Sequence, residues 1–349
     1  MTACLVLGIE TSCDETAAAV VRADGATGHL HVLSSIAASQ DELHAPYRGV
    51  VPEIASRAHL ERIQPVIRRA LAEASCSLRD IRAVAVGHRP GLIGSLLVGT
   101  SAAKAIAWSC GVPIVGVDHV GAHLVAALLD SEPPRFPAIG LVASGGHTSL
   151  FSMAAPGALE LLGATIDDAA GEAFDKAAAC LGLGYPGGPL LDALAATGDA
   201  TRAPFPMSRV PGMDFSFSGV KTALREAVQR PPSGCSAADL AAGFREAVVG
   251  ALVRGVERAL DANPAQGLIA GGGVCANALL RERLAALCES RGLWMRIPRP
   301  DHCTDNAAMI AGAGALRFLA GERDGLDLTA HPLSSMARGR RGPARRRVP

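Results

Sequence analysis

A pattern that occurs twice constrains this chain more than any other feature. An apolar strand runs into a turn of glycine and small hydroxylated residues and returns as a second apolar strand, first over Leu5–Val20 and again over Ile139–Phe151. Each copy reads as a hairpin, because apolar runs bounded by Gly, Ser, Thr and Asp are strands that meet at a turn. Two such copies imply an internal duplication, and so two α/β lobes with a cleft between them.

The segments after each hairpin agree with this. The first is followed by a strand (31–37), a helix from Pro52, a strand (83–86), a helix (93–110) and a strand (113–117), an order that builds a mixed sheet covered by helices. The second leads to helices over 169–180, 219–229 and 237–261, then strand 267–270, helix 277–291, strand 294–297 and helix 305–319. Prolines at 133, 134 and 137 stop helix and sheet alike and mark the lobe boundary. The expected lobes are 1–133 and 134–330, with the last helix free to pack back on the first. The basic segment 331–349 has no apolar periodicity and is expected to be a disordered tail.

Composition sets limits. With 349 residues, 49% of them hydrophobic, the chain can fill two cores, and 39 glycines with 3% aromatic residues favour close-packed α/β layers. A formal net charge of zero gives no global field toward nucleic acid, so any polyanion contact must be local. Nine cysteines without a Cys-x-x-Cys pair, and an N-terminus without a basic leader, point to neither a disulfide framework nor a signal peptide. A cytoplasmic protein with no membrane partner is expected. The most apolar run, from Ile93 to Trp108, is interrupted by Ser95, Thr100, Ser101 and Lys104 and reads as a buried helix.

Several residues can carry chemistry. His119 and His123, four apart just after a strand, share one helical face and can both reach one metal ion, with Asp305 or His302 as the third ligand. The second hairpin turn, Ser144-Gly-Gly-His-Thr148, presents backbone N–H groups unobstructed by side chains, and Thr11, Ser12 and Asp14 hold the matching turn of the first lobe. The run Gly271-Gly-Gly-Val-Cys-Ala-Asn277 follows a strand and opens a helix, where backbone donors and the Asn277 amide can meet a nucleotide. Asp175 and Asp192 can accept hydrogen bonds from sugar hydroxyls. Only Lys104, Lys176 and Lys221 are lysine in a chain that otherwise uses arginine, which singles out the last two within unusual segments.

Taken in order, Gly8-Ile-Glu-Thr-Ser-Cys-Asp-Glu-Thr16, His44 with Gly49-Val-Val-Pro-Glu-Ile-Ala-Ser-Arg-Ala-His59, the His119/His123 pair, Ser144 to Thr148, Ala169-Ala-Gly-Glu-Ala-Phe-Asp-Lys176, Tyr185-Pro-Gly-Gly-Pro189, Phe215-Ser-Phe-Ser-Gly-Val-Lys221, Gly271 to Asn277 and Cys303-Thr-Asp-Asn-Ala-Ala308 resemble the tRNA N6-adenosine threonylcarbamoyltransferase family, formerly called a glycoprotein endopeptidase. The resemblance implies two actin-like ATPase (ribonuclease H-like) lobes. It implies one divalent metal, usually Fe(2+), held by His119, His123 and Asp305. It implies a nucleotide-bearing substrate, threonylcarbamoyl-adenylate, at Val142, Ala143, Ser144, Gly145, Gly146, Asp175, Gly188, Asp192 and Asn277. The implied reaction moves the threonylcarbamoyl group to N6 of the adenosine beside the anticodon of tRNAs reading codons that begin with A, with tRNA, a smaller paralogue and a small ATPase as partners. No residue is assigned as the proton acceptor by this route; His147 or a metal-bound base is our candidate.

The chain departs from the family at three places. Gly87-His88-Arg89 stands before Pro90-Gly-Leu92 where the family usually has Thr-x-Gly; Val120, Gly121 and Ala122 stand where it has Leu-Glu-Gly; and Arg48 replaces a glycine. Three other readings compete with the transferase, one of them a non-catalytic scaffold in a tRNA-modifying assembly, which the presence of both histidines and Asp305 argues against. A metalloprotease is weakened by the absence of Glu between the paired histidines, whereas a small-molecule kinase or carbamoyl transferase shares the fold and differs in its acceptor.

Overall fold

The structure, a computed structural model, describes residues 3–47, 49–207 and 210–336; Arg48 and the arginine stretch from Arg338 lie outside them. The first hairpin is β1 (Cys4–Glu10) with β2 (Glu15–Ala23), extended antiparallel by β3 (Leu30–Ser39). A short α1 (Asp41–His44) and a long α2 (Pro52–Glu73) lead to β4 (Ile81–Arg89), and α3 (Ile93–Cys110) leads to β5 (Ile114–Asp118), both strands parallel to β1. The sheet order is β3-β2-β1-β4-β5. α4 (His119–Ala126) follows β5 without a break.

The second half repeats the plan. β6 (Ala138–Ala143), β7 (Thr148–Ala155) and β8 (Ala158–Ala164) form the antiparallel part, and α5 (Ala170–Cys180), α6 (Gly187–Ala195), α7 (Ser218–Gln229) and α8 (Ala237–Ala262) precede β9 (Gly267–Gly271). α9 (Ala278–Ser290) and β10 (Trp294–Arg296) complete a sheet of order β10-β9-β6-β7-β8, with β9 and β10 parallel to β6. Read from the other edge, the two sheets have the same connectivity and strand directions, so the duplication seen in the hairpins extends through both lobes.

Besides the one-turn α1, the elements β8 and α6 were not expected. β8 is an edge strand, held by pairing with β7 rather than by a strong pattern of its own. α6 begins inside what reads as a turn-rich loop. Its first N–H groups, Gly187 and Gly188, donate to the Asp175 carboxylate of α5 at 2.9 and 3.2 Å, a cap supplied from another helix and invisible to local pattern.

The first sheet is covered on both faces. Along β1 the side chains alternate, so Leu7 and Ile9 meet Ile63, Val66 and Ala103 of α2 and α3, while Val6 meets the other layer. That layer is α10 (Ala307–Leu319), lying over β1, β2 and β4 through Ala308, Ala311 and Ala315. The approach is so close that a Cβ on Gly8 would overlap the Ala307 carbonyl oxygen and stand 2.6 Å from the Ala311 nitrogen. α3 is long and apolar enough to cross a membrane by length and composition. Only one side of it is buried, with Leu96, Gly99 and Ala103 turned inward and Ile93, Leu97 and Trp108 exposed, so the expected buried helix is buried on one face.

α4 lies between the lobes and all eight of its residues are buried. Ala122, Val125 and Ala126 face the first lobe and α10; Val120 and Leu124 face Val142, Phe151 and Met153 of the second sheet. Residues 331–336, expected within a tail without fixed contacts, instead reach this region, where Ser334 and Ser335 bond to Asp118.

The Gly8 contact gives a test of this packing. Gly8→Ala forces α10 off the sheet, and we expect a loss of about 1–3 kcal/mol, the usual range for overpacking a core, measured by urea unfolding. Unchanged stability would mean that α10 is not seated there.

Candidate metal centre and nucleotide cleft

The centre is built on a helix cap. Asp118 ends β5, and its Oδ1 accepts the Val120 N–H at 3.1 Å, which starts α4 at His119. The helical repeat then stacks His123 one turn on, with the ring centroids 4.8 Å apart. The third member comes from the loop before α10. There Asn306 accepts the Met309 N–H at 2.9 Å and donates Nδ2 to the carbonyls of His302 and Thr304, folding the loop around Asp305. Asp305 Oδ1 stands 3.4 Å from Nε2 of both histidines, and the three ligand atoms lie within 4.8 Å of one another. His302 is not in this group, so of the two candidates for third ligand the geometry selects Asp305.

The donor set fits a divalent cation. His123 is fully buried and neither of its ring nitrogens has a hydrogen-bond partner among the described residues, the 3.4 Å approach of Asp305 being too poorly aligned to count as one. A buried polar atom left without a partner costs about 1–3 kcal/mol, and a cation between Nε2 and Oδ1 would remove that cost. Two imidazoles and one carboxylate leave further coordination positions open.

Sequence reasoning missed Glu10. Its Oε2 is 3.1 Å from His119 Nδ1, with Ser12 Oγ at 3.2 Å, so the ring is oriented from behind while Nε2 faces Asp305. Its Oε1 accepts the Ser12 N–H at 2.5 Å. The available signal was a carboxylate closing an otherwise apolar strand. Gly87, part of the loop that departs from the family, leaves room for it, since a Cβ there would stand 2.5 Å from Glu10 Oε2. The bulk of His88 is absorbed elsewhere, through Nδ1 to the Thr329 carbonyl at 2.9 Å, and Arg89 Nε donates to His88 Nε2 at 3.0 Å.

Electrostatics divides the histidines. Burial opposes a charge on His119, but Asp305 and Glu10 on either side outweigh it and hold its pKa well above the ordinary value. Burial and then the His119 charge push His123 down to about 3 and His147 down to about 4. Burial would raise Asp305, yet the neighbouring imidazoles hold it well below the usual carboxylate range. This balance favours the charged form of His119, whose Nε2 faces Asp305.

The turns of both lobes meet here. Ser12 touches His119 from the first, and the His147 ring of the second lies 6.4 Å from the His119 ring. Thr11 is tied down by donating to the Ser95 carbonyl at 2.8 Å, and Asp14 is buried at the end of its turn. β6 carries Val142 and Ala143 to the second turn, which Ser144 closes by donating its N–H to the His147 carbonyl at 2.8 Å. Gly145 and Gly146 are exposed, with open space where side chains would be. The Gly271-Gly272 turn wedges between α4 and β6: a Cβ on Gly271 would overlap the His123 carbonyl, and one on Gly272 the Ala143 carbonyl.

Asp192 and Asn277 come together, Asp192 Oδ1 accepting from Asn277 Nδ2 at 2.8 Å and from Arg245 at 2.9 Å. Asn277 also caps α9, accepting the Leu280 N–H at 3.0 Å. Asp175 spends one oxygen on Gly187 and Gly188, as described above. Lys176 and Lys221 both pair with Asp168, and Lys176 also with Glu172, so two carboxylates face the two cations.

Removing a metal ligand separates this reading from a purely structural cluster. For His123→Ala and Asp305→Asn we expect iron affinity to fall by more than the roughly 10–100-fold that loss of an outer partner costs, measured by chelator competition. Because the His119 proton must leave, uptake releases protons and affinity weakens as pH is lowered; calorimetry in buffers of different ionisation enthalpy reads this directly, and proton-neutral uptake would contradict it.

Comparison with known proteins agrees with the geometry. The sequence profile described as tRNA N6-adenosine threonylcarbamoyltransferase matches residues 31–312. A protein of that name from Symbiobacterium thermophilum is 54% identical over 94% of this chain and 96% of its own length, and one from Sorangium cellulosum is 51% identical over 95% and 97%. Among solved structures, T. kodakarensis HypF superposes with a TM-score of 0.63 at 16% identity over 92% of this chain and 48% of its own. Component A of the Acidaminococcus fermentans (R)-2-hydroxyglutaryl-CoA dehydratase superposes with a TM-score of 0.51 at 12% identity over 92% of this chain and all of its own, and both matches speak to the actin-like fold alone. With the profile covering most of its length and half its residues shared with full-length relatives, this chain belongs to the tRNA N6-adenosine threonylcarbamoyltransferase family.

Proposed function

We propose that the chain transfers the threonylcarbamoyl group of threonylcarbamoyl-adenylate to N6 of the adenosine beside the anticodon in tRNAs reading codons that begin with A, releasing AMP. The observation that carries this is the convergence of His119, His123 and Asp305 beside the open Ser144–His147 turn, in a chain of this family. In the reaction the N6 lone pair attacks the carbamoyl carbon, the new C–N bond forms, and the C–O bond to phosphate breaks with its electron pair leaving on AMP.

The chain's residues divide the work. Gly145 and Gly146 are exposed at this turn, and their N–H groups are assigned to hold an anionic oxygen of the substrate. The nucleotide portion is assigned to the wall formed by Val142, Ala143, Asp175, Gly188, Asp192 and Asn277. His147, neutral at physiological pH because burial and His119 push its pKa down to about 4, is assigned to accept the N6 proton. His119, His123 and Asp305 would hold the metal, which would supply a Lewis acid next to the phosphate. We assign it as Fe(2+), since two histidines and one carboxylate are the set that leaves open positions on non-haem iron.

The setting is cytoplasmic, with tRNA, a smaller paralogue and a small ATPase as partners. α2 and α3 meet at Ser56 and Gly94 and leave Leu60, Ile93, Leu97 and Trp108 exposed, an apolar surface suited to the paralogue.

The test supplies the iron-loaded protein, with its partner subunits, with threonylcarbamoyl-adenylate labelled in threonine and unmodified tRNA. We expect label in tRNA, recovered on digestion as the modified nucleoside, and its loss with His119→Ala. Label that enters only a small metabolite would replace this reading with a small-molecule carbamoyl transferase.

A further inference from the structure

The segment after α10 follows β5 along its length. The Asp324 N–H donates to the Ile114 carbonyl at 2.9 Å, and Asp324 Oδ2 accepts the Gly116 N–H at 2.8 Å. The His331 N–H then donates to the His88 carbonyl at 2.9 Å, next to the Thr329–His88 bond. The path ends on the cap of the metal helix. Asp118 Oδ2 takes the Ser334 hydroxyl at 2.7 Å and both the N–H and the hydroxyl of Ser335 at 3.0 Å, while Oδ1 caps α4. Met336 then joins the apolar cluster between the lobes with Val120, Leu124 and Leu159. Gly121 is what admits it, because a Cβ there would stand 2.6 Å from Met336 Cε and 2.8 Å from Leu159 Cδ1.

We propose that Ser334, Ser335 and Met336 are positioning residues for the metal centre, acting through Asp118 and Gly121 to hold α4 at the angle where His119 and His123 share a cation with Asp305. The inference rests on the metal reading above. Its physical basis is that α4 has eight residues, too few to hold its own axis without tertiary support. Among the described residues, its one capping carboxylate is fixed from outside α4 by the three donors of Ser334 and Ser335. Removing them frees that carboxylate to rotate and loosens the first turn, which bears His119. Gly121 leaves on α4 the space that the Met336 side chain fills.

The full chain and its Ser334→Ala/Ser335→Ala and Met336→Ala variants are titrated with Co(2+), whose visible spectrum reports ligand geometry. We expect roughly 10–100-fold weaker binding, the cost of losing an outer partner, with altered absorption bands and an unchanged unfolding midpoint. Amide exchange in the metal-free protein gives a second reading: Val120 to Leu124 should exchange faster while β1 and β4 keep their protection. Unchanged affinity with unchanged exchange overturns the proposal. If the unaltered chain takes up no Co(2+), the metal reading has failed, and exchange alone decides whether this segment holds α4: faster exchange supports the hold, and unchanged exchange removes it.

Discussion

The seating of α4 between the two sheets is the constraint on which the rest depends. Its eight residues are buried on all sides, with one face in the first lobe's core and the other against β6 and β7. So short a helix has little stability of its own, and its direction is set by what surrounds it. The Asp118 cap starts it, the Gly271 turn presses on His123, and Met336 closes over Gly121. The active geometry is therefore a property of the interface between lobes, and the duplicated fold is what supplies two walls for one helix.

The charge balance follows from the same burial. Three imidazoles and two carboxylates share a space with little water, and only the histidine flanked by both acids is held in its charged form. A divalent cation bound there would take the place of that proton and raise the net charge of the group by one. Glu10 is central to the arrangement because it fixes the far side of the His119 ring; the Nε2 atom is left with one direction to point.

Much of this was legible in the residues. The repeated hairpin gave the lobe design because its signal is local: apolar runs and a turn of small residues. The histidine pair was legible for the same reason, since helical spacing fixes their common face. Asp305 needed the family resemblance, as nothing local separates it from His302. What escaped were interactions whose partners lie far apart in sequence. Glu10 faces a histidine 109 positions on, the start of α6 is capped from α5, and Ser334 reaches Asp118 across 216 positions. The lysines at 176 and 221 drew notice by rarity, yet they neutralise Asp168.

The central claim is that one metal ion is bound by residues from α4 and from the loop before α10. Anomalous diffraction at the iron edge, from crystals of the anaerobically loaded protein, tests it most directly. The account requires a single strong peak bonded to Nε2 of His119, Nε2 of His123 and an oxygen of Asp305, each at roughly 2.0–2.2 Å, the usual range for such ligands. A peak elsewhere, or none in a protein that still modifies tRNA, would contradict it.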